Sequence, residues 1–313
     1  MLSRTADHVY WLGRYVERAE TLARALDVQY RLSLLPQGPQ SVAAGWLDTL
    51  DELGLLPTYR ERHGEVDSTR PAQFIAFDRL SSMSIHGCLR AARENARAVR
   101  GAITSEMWET MNATWLEARS FDPQYQRHRD LGEFIDWVKH RSQLFRGVWR
   151  GTMLRDEGFA FMRVGMSLER ADGTARILGA RLATTSGGTA VSGYYQWGVL
   201  LRAMSVFENY RKLFRESVVP ERVAELLVLR DDDPRSVRRA VGDLYTGLRV
   251  VANQRSLETE RRAGELEAML RFGRTEALAV DRLRAFLDEC VVRLRDIDRR
   301  ITSDFLVAIE SVA

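Results

Sequence analysis

Two stretches of this 313-residue chain carry the same charged pattern. Residues 13–26 read GRYVERAETLARAL and residues 165–178 read GMSLERADGTARIL. Seven of the fourteen positions are identical: Gly13/Gly165, Glu17/Glu169, Arg18/Arg170, Ala19/Ala171, Ala23/Ala175, Arg24/Arg176 and Leu26/Leu178. Asp172 keeps the carboxylate of Glu20. A pattern that recurs at a fixed spacing is the signature of a repeated structural unit. The same spacing of 152 residues sets FIAFDRLSSMSI (74–85) over LLVLRDDDPRSV (226–237), mostly an apolar match, with Ser84 over Ser236. The expected organisation is two helical repeats, 1–152 and 153–313, related by a pseudo-twofold and packed as one body. The first would carry the ERAE motif and the second the ERAD motif.

Only 7 prolines occur, and strand-like alternation is scarce. Apolar residues recur instead at helical spacing. This predicts helices near 5–31, 42–53, 84–101, 103–119, 130–155, 158–180, 194–215, 220–229, 235–252, 255–271 and 274–310. Pro36-Gln37-Gly38-Pro39, Ser120-Phe121-Asp122-Pro123, Gly187-Gly188 and Asp231-Asp232-Asp233-Pro234 break them. Ser84 and Ser236 fit helix N-caps. The fold class that follows is all-α, a helical bundle.

On its helix the first motif has two stripes. Leu12, Val16, Ala19, Ala23 and Leu26 form an apolar one. Gly13, Glu17, Glu20 and Arg24 form a charged shoulder beside it, with Arg14 and Arg18 expected on the opposite side. Tyr10, Trp11 and Tyr15 cover much of the remainder, so the helix is expected to be buried and its charges paired. In the second copy Leu168, Ala171, Ala175 and Leu178 are apolar, and Gly165, Glu169, Asp172 and Arg176 form the shoulder. Met166 stands where the first copy has Arg14, so the copies are not chemically equivalent. Two readings remain open. Glu17 with Arg24, and Glu169 with Arg176, are interhelical clamps, or the cluster binds or acts on an amino-acid or peptide ligand.

Net charge is only +3, yet 44 of the 46 basic residues are arginine. Arginine presents a fixed two-pronged donor to carboxylate or phosphate. Arg90, Arg93, Arg97 and Arg100 fall on one face of a helix, where like charges repel unless something anionic lies against them. Glu94 neutralises part of this ladder. The rest would face solvent, the motif carboxylates, an acidic partner or a phosphate. Glu106 follows on the next helix. Arg202, Glu208 and Arg211, set among aromatics, are expected to pair in the core.

Several chemistries are disfavoured. Cys88 and Cys290 make no disulfide framework or zinc-ribbon spacing. No Glu-x-x-His pair accompanies the motifs, as a di-iron bundle requires, and neither a phosphate-binding Gly-rich loop nor a nucleophile elbow is present. No metal or cofactor is expected. The balanced charge argues against a nucleic-acid binder. No apolar run spans a membrane, and the charged N-terminal residues are unlike a signal peptide, so a cytoplasmic location is expected. Glu17 and Glu169 are the candidate acid–base groups, if burial raises their pKa.

The segments LSRTADHVYWLGRYVERAETLAR (2–24), ARENARAVRGAITSEMWETMN (92–112), FMRVGMSLERADGTARIL (161–178) and YQWGVLLRAMSVFENYR (195–211) together resemble the bacterial alpha-E family over essentially the whole chain. The resemblance implies an all-helical protein whose relatives are encoded beside, or fused to, a circularly permuted ATP-grasp protein. It therefore implies an accessory or partner role with an amide ligase in peptide synthesis or modification. The alternatives are an enzyme in its own right, with Glu17 and Glu169 as acid–base groups and Arg97 or Arg176 holding a carboxylate, and a purely structural scaffold. The candidate binding residues are Arg14, Arg18, Glu20, Arg24, Arg90, Arg93, Glu94, Arg97, Arg100, Glu106, Arg170, Asp172 and Arg176.

Overall fold

Helix α1, Ser3–Ser33, contains no proline and is rich in Ala, Leu and Arg, so nothing in its 31 residues interrupts it. The next proline in the chain, Pro36, follows its end. Its counterpart α8, Glu157–Thr185, is 29 residues long. The computed structural model describes residues 1–36, 38–121, 131–185, 190–274 and 280–306. The breaks expected at Gln37, Asp122-Pro123 and Gly187-Gly188, and the last residues of the helix expected to run to 310, lie outside them. Every described regular element is helical.

The two long helices pack side by side at the centre. Glycines allow this. A Cβ at Gly13 would lie 2.7 Å from the carbonyl oxygen of Met162, and one at Gly165 would strike the carbonyl oxygen of Tyr10. Thr21 fills the notch left by Gly173. Contacts therefore advance in the same direction along both helices, as in a parallel pair. Shifting Tyr10 and Gly13 by 152 gives Met162 and Gly165, so the first two contacts exchange partners.

Around the pair lie α2 (Pro39–Glu52), α3 (Leu56–His63), α4 (Arg70–Phe77), α5 (Ile85–Ala98), α6 (Ser105–Ala118) and α7 (Leu131–Thr152). After α8 come α9 (Ala190–Ala203), α10 (Phe207–Phe214), α11 (Pro220–Ala224), continued by a π-turn at Glu225–Leu229, α12 (Val237–Val251), α13 (Leu257–Arg271) and α14 (Val280–Ile301). Helices α2 and α9, α3 and α10, α5 and α12, and α6 and α13 begin 151 or 152 residues apart. α5 and α7 pack on α1, as α12 and α14 pack on α8. α2 crosses to α8 and α9 crosses to α1.

Local chemistry recurs with the elements. Ser84 Oγ accepts from Gly87 N at 2.9 Å and donates to the Asp78 carbonyl at 2.5 Å. Ser236 Oγ accepts from Arg239 N at 3.0 Å and donates to the Arg230 carbonyl. Both serines thus cap their helices, as expected from the sequence.

Two expectations need correction. The helix expected over 194–215 is two helices, because Ser205 adopts a left-handed conformation (φ 59°) and turns the chain between α9 and α10. Helices α3 and α4 were not expected. Each carries a proline in its first turn, Pro57 and Pro71, where a missing N–H costs nothing.

Candidate functional site

The duplicated Glu-Arg dipeptides meet where α1 lies on α8, and they exchange partners. Arg170 donates to both oxygens of Glu17, Nε at 2.8 Å and Nη2 at 2.6 Å. Arg18 makes the matching fork to Glu169, at 2.6 and 2.8 Å. The clamp joins the helices, but not through the pairs expected from the sequence. Arg24 turns back along its own helix to Glu20 at 2.7 Å, and Arg176 to Asp172 at 2.6 Å. Their remaining arms cross the interface. Arg24 donates to the carbonyl of Ala203, the last residue of α9, and Arg176 to that of Glu52, the last residue of α2, at 2.7 Å. A cation suits the negative end of each helix dipole.

Arg14 and Arg18 are the clearest correction. They were expected away from the motif carboxylates, yet both grip Glu169, Arg14 Nε at 2.6 Å. A helical wheel places side-chain roots, and a guanidinium reaches well beyond its root. Since α1 is covered by α8, α5, α7 and α9, it has no free polar side on which Arg14 can stand. Arg14 also donates to Tyr10 Oη at 2.8 Å and Asp298 Oδ1 at 2.5 Å.

The first half recruits more cations. Arg146 of α7 bridges Glu17, at 2.9 Å, and Glu20. Arg235, just before the Ser236 cap, contacts Glu17 at 3.1 Å and also Glu20. Both glutamates are completely buried. Burial pushes the Glu17 carboxyl up, but Arg170 and Arg146 overcome this and hold it at about 2. Glu169 is likewise raised by burial and pulled to about 2 by Arg18 and Arg14. The raised pKa that acid–base work would need is absent from both groups.

Two clefts open beside this lattice. The first, about 290 Å³, is lined by Arg14, Arg18, Glu169, Asp172, Arg176 and Asp298, among others. The second, about 640 Å³, has Arg24, Arg146, Arg150, Arg170, Arg235 and Arg239 on its wall. So Glu17 and Glu20 are locked between the helices with their arginines bordering the second cleft, while Glu169 reaches the wall of the first.

The ladder lies elsewhere. Arg90, Arg97, Arg100 and Glu106 are exposed on α5 and α6 and the turn between them, and contact none of the motif carboxylates. Arg93 binds Asn112 Oδ1 at 2.9 Å and Glu94 at 2.6 Å. Arg97 reaches Glu94 only at 3.6 Å, and Arg100 stacks 4.8 Å over Trp108. Arg202, Glu208 and Arg211 are exposed too, not paired in the core. Arg202 lies 4.1 Å over the Phe207 ring.

Sequence reasoning missed Arg146, Arg150, Arg235, Arg239, Tyr10 and Asp298. A signal for some of them was present as departures from the repeat. Shifting Arg146 by 152 gives Asp298, and shifting Met83 gives Arg235. Each changes the charge at an equivalent place.

Among the described residues no cluster of His, Cys, Asp and Glu is arranged to hold a metal ion, and no helix is long and apolar enough to cross a membrane. Cys88 is buried, which pushes its thiol up to about 12, far from a reactive thiolate.

The Alpha-E family model, described as a predicted alpha-helical domain with a conserved ER motif, matches residues 1–306. Of five Glu-Arg dipeptides in the chain, only 17–18 and 169–170 have a buried glutamate. The chain is 26% identical to an uncharacterized protein of Mycobacterium bovis and to uncharacterized proteins from two strains of Mycobacterium tuberculosis. The matches cover 96% of this chain and 36% of each relative, so the chain spans about a third of the length of these curated relatives. No solved structure matches it.

Proposed function

The chain belongs to the Alpha-E family, and from that premise we propose that it is an accessory partner of a circularly permuted ATP-grasp amide ligase. It would act in peptide synthesis or modification by binding, and the ligase would supply the chemistry. The observation that carries this reading is the state of Glu17 and Glu169. Each is buried and held ionised by at least two arginines. A general acid needs a proton near neutral pH, and a general base needs an approach to its substrate. Neither carboxylate holds a proton near neutral pH, and Glu17 is also closed off, while Glu169 reaches the first cleft only in its grip by Arg14 and Arg18. In the second cleft it is the arginine side of the lattice that faces open space, and arginine is suited to gripping carboxylate or phosphate.

Two further points support the partner role. The family resemblance implies a neighbouring or fused ATP-grasp protein. The curated relatives also carry nearly two-thirds of their length beyond the part this chain matches, which leaves room for a second working unit. The two halves, 1–152 and 153–313, are on this reading a tandem duplication whose copies clasp through Glu17–Arg170 and Arg18–Glu169. Recurrent caps, element starts and exchanged glycine contacts support it.

Co-purification of the full chain with the ATP-grasp protein, with and without ATP and a peptide acceptor, tests the proposal. A stable complex, and ligase turnover that rises when the chain is added, are expected. Two proteins that elute separately under every condition would sink it. Hydrolytic or transfer activity of the isolated chain that Glu17→Gln abolishes without loss of fold would favour the enzyme reading instead.

A further inference from the structure

The second cleft holds more positive charge than its own acids balance. Arg24, Arg146, Arg170 and Arg235 converge on two carboxylates, Glu17 and Glu20. Arg150, one turn beyond Arg146 on α7, lines the same cleft, and no carboxylate lies within ion-pair distance of it among the described residues. The remaining acids on the wall have their own partners. Asp231 pairs with Arg238 at 3.2 Å and Asp232 with Arg230 at 2.6 Å. Asp243 pairs with Arg163 at 2.5 Å and with Arg239 at 3.5 Å. Five guanidiniums therefore face two carboxylates, which leaves a surplus of three charges around a cavity of about 640 Å³.

The carboxylates hold Arg146 and Arg170 above the ordinary arginine value, but Arg235 and Arg150 fall below it. Arg170 and Arg235 are buried, and Arg24 is 1% exposed. Burial presses Arg235 below its ordinary value, and Glu20 offsets this only in part against Arg24. Arg150 is exposed at the cleft wall, and partial desolvation and Arg170 press it down against the pull of Asp243. Like charges crowded in low dielectric repel strongly, and a bound anion relieves them.

We propose that this cleft binds a multivalent oxyanion, a phosphoryl or diphosphoryl group of a small molecule. A monocarboxylate brings one negative charge against a surplus of three. A phosphoryl group brings about 1.5 to 2 and three acceptor oxygens, which match forked guanidinium donors. The inference concerns the isolated chain, so it stands or falls separately from the ATP-grasp partnership.

Isothermal titration of the full chain at fixed ionic strength, with inorganic phosphate, inorganic pyrophosphate, acetate and tricarballylate as probes, tests it. Saturable binding of pyrophosphate is expected, at least tenfold tighter than acetate, together with a rise in melting temperature that follows the occupancy. Arg150→Gln should weaken pyrophosphate by about tenfold, the worth of one charge-assisted hydrogen bond. Arg150 is exposed and makes no ion pair among the described residues, so the variant should keep the wild-type circular dichroism. Arg150→Glu should abolish binding. Arg295→Gln, in the other cleft, should leave it unchanged. Absence of saturable phosphate or pyrophosphate binding, or equal affinity in Arg150→Gln, would overturn the proposal. Tricarballylate binding as tightly as pyrophosphate would overturn the phosphoryl assignment.

Discussion

The two clefts beside α1 and α8 stand on corresponding parts of one helical frame but carry different charge. In the first, Arg14 is answered by Asp298, and Met83 is neutral. In the second, the corresponding positions hold Met166, Arg146 and Arg235. The Glu-Arg clasp is the same on both sides. What differs is the second ring of side chains, contributed by α7, α14 and the turns before α5 and α12. A clasp that both halves need for packing can stay the same while its surroundings diverge. That separates the structural task of the motif from the anion binding proposed for the second cleft.

The largest expected effect removes both sides at once. Glu17 and Glu169 have pKa values depressed from 4.5 to about 2. A depressed carboxylate contributes stability that is fully present above its unfolded pKa and lost as pH falls through the folded one. Melting temperature should therefore hold from pH 7 to 5 and fall steeply between about 4.5 and 2. A flat profile down to pH 2 would show that the clasp does not stabilise the fold.

Single substitutions separate the clefts. Glu17→Gln leaves Arg170 without its carboxylate and crowds Arg24, Arg146 and Arg235 onto Glu20 alone, and should cost about 3–5 kcal/mol in urea unfolding. Glu169→Gln should cost less, since Asp298 still neutralises Arg14. Equal losses would erase the proposed asymmetry. Gly165→Ala drives a methyl into the Tyr10 carbonyl and should cost about 1–3 kcal/mol. Gly242→Ala, with nothing within 4 Å in the middle of α12, should instead stabilise by about 0.5–1 kcal/mol. At the small end, Arg97→Ala in the exposed ladder should stay within about 0.5 kcal/mol.

The sequence was legible wherever the chemistry is local. Helical spacing located most helices, and Ser84 and Ser236 were identifiable as caps because capping involves only neighbouring residues. The burial of Glu17 and Glu169 also followed, since apolar groups nearly surround the motif. Their partners did not follow. The motif by itself suggested Glu17 with Arg24 as a clamp between helices, and only the register of α1 on α8 brings Arg170 to Glu17 instead. The fate of the ladder, for which solvent was one of the alternatives, was undecided for the same reason. Arg90, Arg93 and Arg97 align on α5 with Arg100 in the turn after it, and packing leaves Arg90, Arg97 and Arg100 exposed.

By itself, then, the sequence determined that this chain is helical, that a charged motif occurs twice, and that its acids must be buried against arginine. Periodicity, capping and burial are written into short windows, so no neighbour is needed to read them. The tertiary structure alone decided which arginine meets which glutamate. It also decided that Arg146, Arg150 and Arg235 gather, from separate parts of the chain, beside the first clasp. Long side chains from distant helices converge only after packing, and the charge of a cleft is a sum over residues that no local window contains.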